Sequence, residues 1–228
     1  MRKILPDVPW PEKGDRLFVT CEDRENDALI NRVERTVDLY AMAYKHAADA
    51  LVEQVLQTGF AHDVLVLPIG FLYRQYLELS LKGIIEDIYY WEPAGFQPLT
   101  NERFWAEWKI RVAARLVKDG VPYPVDPSGH DLRKLWDDEV RLLIEAAFST
   151  ISKDDLDTVE NCLHEFQDKD PKSDGFRYPA TKKGRKTLEA LSRVNLRNLK
   201  EVVRRVGALL EVASGGSSLE QEDELDSF

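Results

Sequence analysis

Between Val64 and Ile85 the chain is apolar on nearly every side of a helix, yet three charges, Arg74, Glu78 and Lys82, run through it four residues apart. A helix hydrophobic all round is normally buried. Charges held inside a small bundle must be paired or must face a site. At this spacing successive members of the row stand one turn apart with roughly 40° of drift, so Arg74 can meet Glu78 and Glu78 can meet Lys82. Two readings follow. The row is either an ion-pair seam that fixes helix register, its stems covering apolar surface, or a set of cations offered to a phosphate.

The rest of the pattern is helical too. From caps at Asn26 or Asp27, the residues Leu29, Val33, Val37, Tyr40, Tyr44, Ala47, Leu51 and Val55 recur at steps of three and four, predicting a first helix that ends near Gly59. The second is expected from Asp63 to Trp91, with Pro68 ending its first turn or kinking it. A third covers Asp131 to Phe148. Ser152 and the acids behind it predict a capped fourth helix with Leu156, Val159, Cys162, Leu163 and Phe166 inward, and a last helix is expected from Thr187 to Ala213. The fold class is therefore all-α: an antiparallel four- to five-helix bundle over residues 26–213. An aromatic-rich insertion, 93–128, separates its second and third helices and includes a short helix at 102–118. Residues 1–25 read as an extended arm with at most one edge strand, at Leu17-Phe18-Val19-Thr20. Residues 214–228 lack the apolar content to fold and read as a disordered acidic tail.

Charge and composition narrow the function classes. The net charge is −10, and half of it sits in the tail as Glu220, Glu222, Asp223, Glu224 and Asp226. Such a balance excludes a surface that coats nucleic acid broadly, though a local basic groove fits. No uncharged apolar run reaches the ~18 residues of a membrane span, and the N-terminus lacks the apolar core of a secretion signal. The expectation is a cytoplasmic protein without membrane contact. Cys21 and Cys162 have no metal-ligand spacing, and neither a metal nor a cofactor is expected. Gly-rich phosphate loops, His-Glu helix pairs and nucleophile elbows are missing.

Three later motifs carry chemistry. In Gly129-His130-Asp131-Leu132, Asp131 suits an N-cap, while free helix-end amides beside His130 would suit an anion. In Arg177-Tyr178-Pro179 the proline stiffens a turn, and Arg177 either returns to pair with Glu78 or Asp131 or faces solvent. Lys182, Lys183, Arg185 and Lys186 form the one dense basic cluster in the sequence, a solvated face or a set of phosphate contacts. The aromatics Tyr89, Tyr90, Trp91, Phe96, Phe104, Trp105 and Trp108 read as core or interface before base-stacking platform.

The order Tyr73-Arg74-Gln75, Glu78, Leu81-Lys82, then Gly129-His130-Asp131-Leu132, then Phe176-Arg177-Tyr178-Pro179 ahead of a last helix, resembles the HEPN (higher eukaryotes and prokaryotes nucleotide-binding) family. The resemblance covers residues 64–213. It implies an all-α bundle, commonly dimeric, of the kind found in toxin–antitoxin pairs, anti-phage defence and CRISPR-associated effectors. Active branches are metal-independent RNases that use an Arg, four to six residues and a His. Here no Arg precedes His46, His62, His130 or His164 at that distance.

The leading expectation is thus a nucleotide- or RNA-associated component of a prokaryotic defence or toxin–antitoxin system that binds or regulates rather than cuts. Its candidate contacts are Arg74, Glu78, Lys82, His130, Asp131, Arg177, Tyr178, Lys182 and Lys183. Alternatives are a non-standard metal-independent RNase built from Arg74, His130 and Arg177, and a structural subunit docking onto a larger complex. The partners expected are a second copy of the chain, RNA or a nucleotide, and a protein of the same operon.

Overall fold

A computed structural model describes residues 3–5, 8–18, 24–28, 30, 36–91, 129–141, 144–145 and 151–214. The predicted insertion and, after Ser214, the acidic tail lie outside them. Two compact units divide the chain, 1–35 and 36–228.

In the first unit, β1 (Lys3–Leu5) pairs antiparallel with β2 (Val8–Pro9), and a 3-10 turn covers Arg24–Asn26. The arm therefore holds two short strands, and neither is the expected one. Leu17 and Phe18 lie in a bend with 92% and 89% of their surface exposed. Pro9 is tolerated because both strands of a two-stranded ladder are edges.

The named elements of the second unit are all helices among its described residues. Its elements are α1 (Val37–Thr58), α2 (His62–Trp91), α3 (Leu132–Leu135) running into a π-helical turn (Trp136–Val140), α4 (Lys153–Lys169) and α5 (Leu196–Ala213). Helix α1 starts later than expected. Thr36 is the N-cap, its hydroxyl accepting from the Leu39 amide, whereas Asn26 closes the 3-10 turn. The inward face agrees with the predicted stripe at Val55, which is buried, and at Tyr44 and Leu51, which pack half-buried on the core, but it also takes in Ala41, Ala48 and Val52, while Tyr40 and Ala47 are exposed. Gly59 ends the helix at φ 65°, donating to the Val55 carbonyl. This is a left-handed cap that glycine adopts without Cβ strain. So short a connection makes α1 and α2 antiparallel neighbours.

Helix α2 is the centre. It packs against α1, α3, the π-turn and α5, with Ile69, Tyr73, Leu77, Leu81 and Ile84 all at 2% exposure or less. By length and composition it is apolar enough to cross a membrane, a property that a core helix shares. Pro68 lies inside it, in the second turn. The last helix also starts late. Residues 187–195 are not helical, Leu188 has φ 55°, and the Asn195 side chain caps α5 by accepting from the Asn198 amide. The fourth helix begins as expected, with a reciprocal capping box between Ser152 and Asp155.

Candidate nucleic-acid interface

The seam in α2 is a closed ion-pair network. Arg74 Nη1 donates to Glu78 Oε2 at 3.1 Å, and Lys82 Nζ donates to Glu78 Oε1 at 2.9 Å. Arg74 is fully buried, and its Nη2 donates to the His130 carbonyl at 2.5 Å and to Gln167 Oε1 at 3.0 Å. Burial pushes the guanidinium pKa down from its usual value, opposed by the charges of Glu78, Asp170 and Asp131. No donor of Arg74 faces solvent, so this residue cannot meet a phosphate. Burial also penalises the Glu78 carboxylate, but hydrogen bonds from Lys82 and His130 outweigh that penalty and hold it below the usual carboxylate range.

The second motif closes over this network. His130 Nδ1 lies 2.7 Å from Glu78 Oε1, with 63% of the imidazole side chain exposed and 2% of the carboxylate side chain. Asp131 caps α3, its Oδ1 accepting from the amides of Arg133 and Lys134 at 3.0 and 3.3 Å. The Leu132 amide donates to Gln167 Oε1 at 3.0 Å. These first amides are satisfied within the protein, so the anion pocket expected at this helix start is closed.

Gln167 is the hub the sequence reading missed. It ties Arg74 and Leu132 to α4, and its Nε2 donates to the Pro171 carbonyl at 3.0 Å. The available signal was a polar residue four after Leu163, where the apolar stripe of α4 continues. Asp170 was missed as well. Buried at 1% exposure, it accepts the Asp174 and Gly175 amides on Oδ1 and shapes the next loop. Its Oδ2 and Arg74 Nε have no partner among the described residues.

Beyond Asp170 the chain runs back along α2. Phe176 is buried against Gly70 and meets Phe166 edge-on at 6.2 Å. Gln75 Nε2 donates to Ser173 Oγ at 2.7 Å, and Arg177 Nε donates to the Ser173 carbonyl at 2.8 Å. The Arg177 guanidinium lies over the Phe71 ring at 5.3 Å and the Tyr178 ring at 5.5 Å. It therefore sits on aromatic faces at the surface rather than pairing with Glu78 or Asp131, because Arg74, Lys82 and His130 already occupy that carboxylate. Tyr178 is 56% exposed.

A tight hairpin follows. Thr187 N donates to the Pro179 carbonyl, Ala180 bridges Lys186, Thr181 N donates to the Arg185 carbonyl and Gly184 N to the Thr181 carbonyl. Gly184 takes φ 74°, a turn position that favours glycine. Lys182, Lys183, Arg185 and Lys186 project from this ordered turn, all exposed. Among the described residues none of their side chains has an ion-pair or hydrogen-bond partner.

A separate cluster, Asp137, Glu160 and His164, brings three donor atoms within 4.8 Å of one another. Arg141 already pairs with Glu160, and His164 Nε2 lies 2.9 Å from Asp137 Oδ1. Each member of the cluster thus has a hydrogen-bond or ion-pair partner within the protein.

Compared with protein-family models, curated proteins and solved structures, the chain matches none.

Proposed function

We propose that the chain is a HEPN-like bundle that binds RNA through the basic hairpin, as a cytoplasmic component of a prokaryotic defence or toxin–antitoxin system. The observation that carries this reading is the set of four exposed cations on an ordered turn, without acidic partners among the described residues, within a protein whose net charge is −10. Acids are abundant elsewhere: Lys200 pairs with Glu53, and Arg133 with Asp168. Cations held without acidic partners keep an electrostatic footprint for phosphate. Beside them, the exposed ring of Tyr178 supplies a face on which a base can stack, worth about 1–3 kcal/mol per base.

Binding rather than family-type cleavage is favoured because no histidine has the required upstream arginine and Arg74 is sealed inside the bundle. An RNase built on Arg74, His130 and Arg177 would need Arg74 at the surface. A homodimer belongs to this reading through the family resemblance. Sedimentation at micromolar concentration checks it, and a monomer there would contradict it.

The experiment for the main reading is fluorescence anisotropy with single-stranded RNA. Lys182→Glu combined with Lys183→Glu should weaken binding at least tenfold while leaving the fold intact. Failure of the unaltered protein to bind RNA would contradict the reading.

A further inference from the structure

The exposed imidazole of His130 is held by a buried carboxylate, and that pairing determines which ring nitrogen faces solvent. Glu78 is ionised, and an ionised carboxylate only accepts hydrogen bonds. Its Oε2 takes Arg74, and its Oε1 takes both Lys82 and His130 Nδ1. The neutral ring has one N–H and one lone pair. Facing an acceptor, that neutral ring places its hydrogen on Nδ1 and its lone pair on Nε2. Carboxylates behind an imidazole fix tautomer and orientation in this way elsewhere. The backbone is fixed as well, through the bond from Arg74 to the His130 carbonyl. Among the described residues nothing hydrogen-bonds Nε2.

An oriented lone pair repels phosphate oxygens, which are acceptors too, and selects a donor. On a nucleic-acid backbone that donor is the ribose 2′-hydroxyl, the group that distinguishes RNA from DNA. The place also fits. His130 is pinned at Glu78, while the loop leading into the basic hairpin is pinned at Phe71 and Gln75 of the same helix. At 1.5 Å per residue, these anchor points lie within about 11 Å along the α2 axis. One short strand can therefore lie across the hairpin root and the imidazole together.

We propose that His130 Nε2 accepts the 2′-hydroxyl of a ribose in bound RNA and makes the site selective for RNA over DNA. The inference rests on the RNA-binding reading and adds the sugar specificity that the hairpin's cations, which meet phosphate alone, lack.

The test compares three oligonucleotides of one adenine and cytosine sequence: RNA, DNA and 2′-O-methyl RNA. The methylated strand keeps the 2′-oxygen but carries a methyl group in place of the donor hydrogen. The unaltered protein should prefer RNA over both others by about three- to tenfold, the worth of one neutral hydrogen bond. His130→Ala, at an exposed position, should bring the three affinities together. Lys182→Glu with Lys183→Glu should weaken all three alike and keep the preference. Equal binding of RNA and 2′-O-methyl RNA by the unaltered protein, or a preference that survives His130→Ala, overturns the inference and leaves the RNA-binding reading standing. Binding of none of the three overturns both.

Discussion

Glu78 and His130 are joined by a 2.7 Å hydrogen bond between a carboxylate that is almost wholly buried and an imidazole that is mostly exposed. The bond carries information from the core to the surface. Two cations from its own helix hold the carboxylate in place, and the carboxylate in turn decides how the ring is presented.

Removing Arg74 should be costly because it leaves Glu78, Gln167 and the His130 carbonyl short of a buried donor. Arg74→Met is expected to destabilise the fold by about 3–5 kcal/mol, measured by urea denaturation. Arg74→Met with Glu78→Leu should lose less, since an apolar pair of similar size leaves no buried charge unmatched. A double variant less stable than the single one would contradict the view that the seam is an ion-pair network rather than a row of independent contacts.

The seam was legible from sequence because its spacing is local: four residues in a helix mean one turn, whatever surrounds it. The Ser152 box was legible for the same reason. The start of α5 was not. Leu188, Leu191 and Val194 follow helical steps, but Thr187 Oγ1 donates to the carbonyls of Gly175 and Tyr178 and fixes that stretch outside any helix. Such a bond reaches across nine to twelve residues and leaves no periodic trace. The face of α1 was legible at Tyr44, Leu51 and Val55 but not at its start, where counting large apolar residues selects Tyr40 and close packing selects the small Ala41. Of the candidate site residues, Glu78 and His130 do meet. Arg74 pairs with Glu78 as the spacing predicts, but it is held inward by Gln167, which no local pattern connects to it.

Two carboxylates should give opposite pH signatures. Glu78 has a lowered pKa in the folded state, against burial, because Lys82 and His130 donate to it. Its contribution is therefore fully present above the unfolded value of about 4.3 and is lost as pH falls through the folded value. Glu78→Gln should flatten the acid limb of stability against pH. Asp38 has a raised pKa from burial. The folded state binds its proton more tightly, so stability from this group falls as pH rises from the unfolded value through the folded one. Asp38→Asn should accordingly gain stability at pH 7 relative to its effect at pH 3. Guanidinium titrations across pH 3–8 read both, and an unchanged acid limb in Glu78→Gln would count against the assigned sign.

Gly70 is where the loop meets the core. A Cβ there would land on the Phe176 ring, so Gly70→Ala should destabilise by about 1–3 kcal/mol through overpacking, despite the ~1 kcal/mol that alanine gains in a helix. Because Phe176 anchors the start of the hairpin segment, the same change should also weaken RNA binding. Thermal melting and anisotropy on one preparation test both effects; a stabilised variant would show that Phe176 does not pack as described.

The central claim is that the hairpin's four cations meet phosphates, and the salt dependence of RNA affinity measures this most directly. Log affinity against log salt should fall linearly, with about −0.7 in slope per phosphate contact on a single strand. Replacing Lys182, Lys183, Arg185 and Lys186 together with serine should make that slope shallower by about two to three units. A slope and affinity left unchanged by the fourfold replacement would contradict the claim.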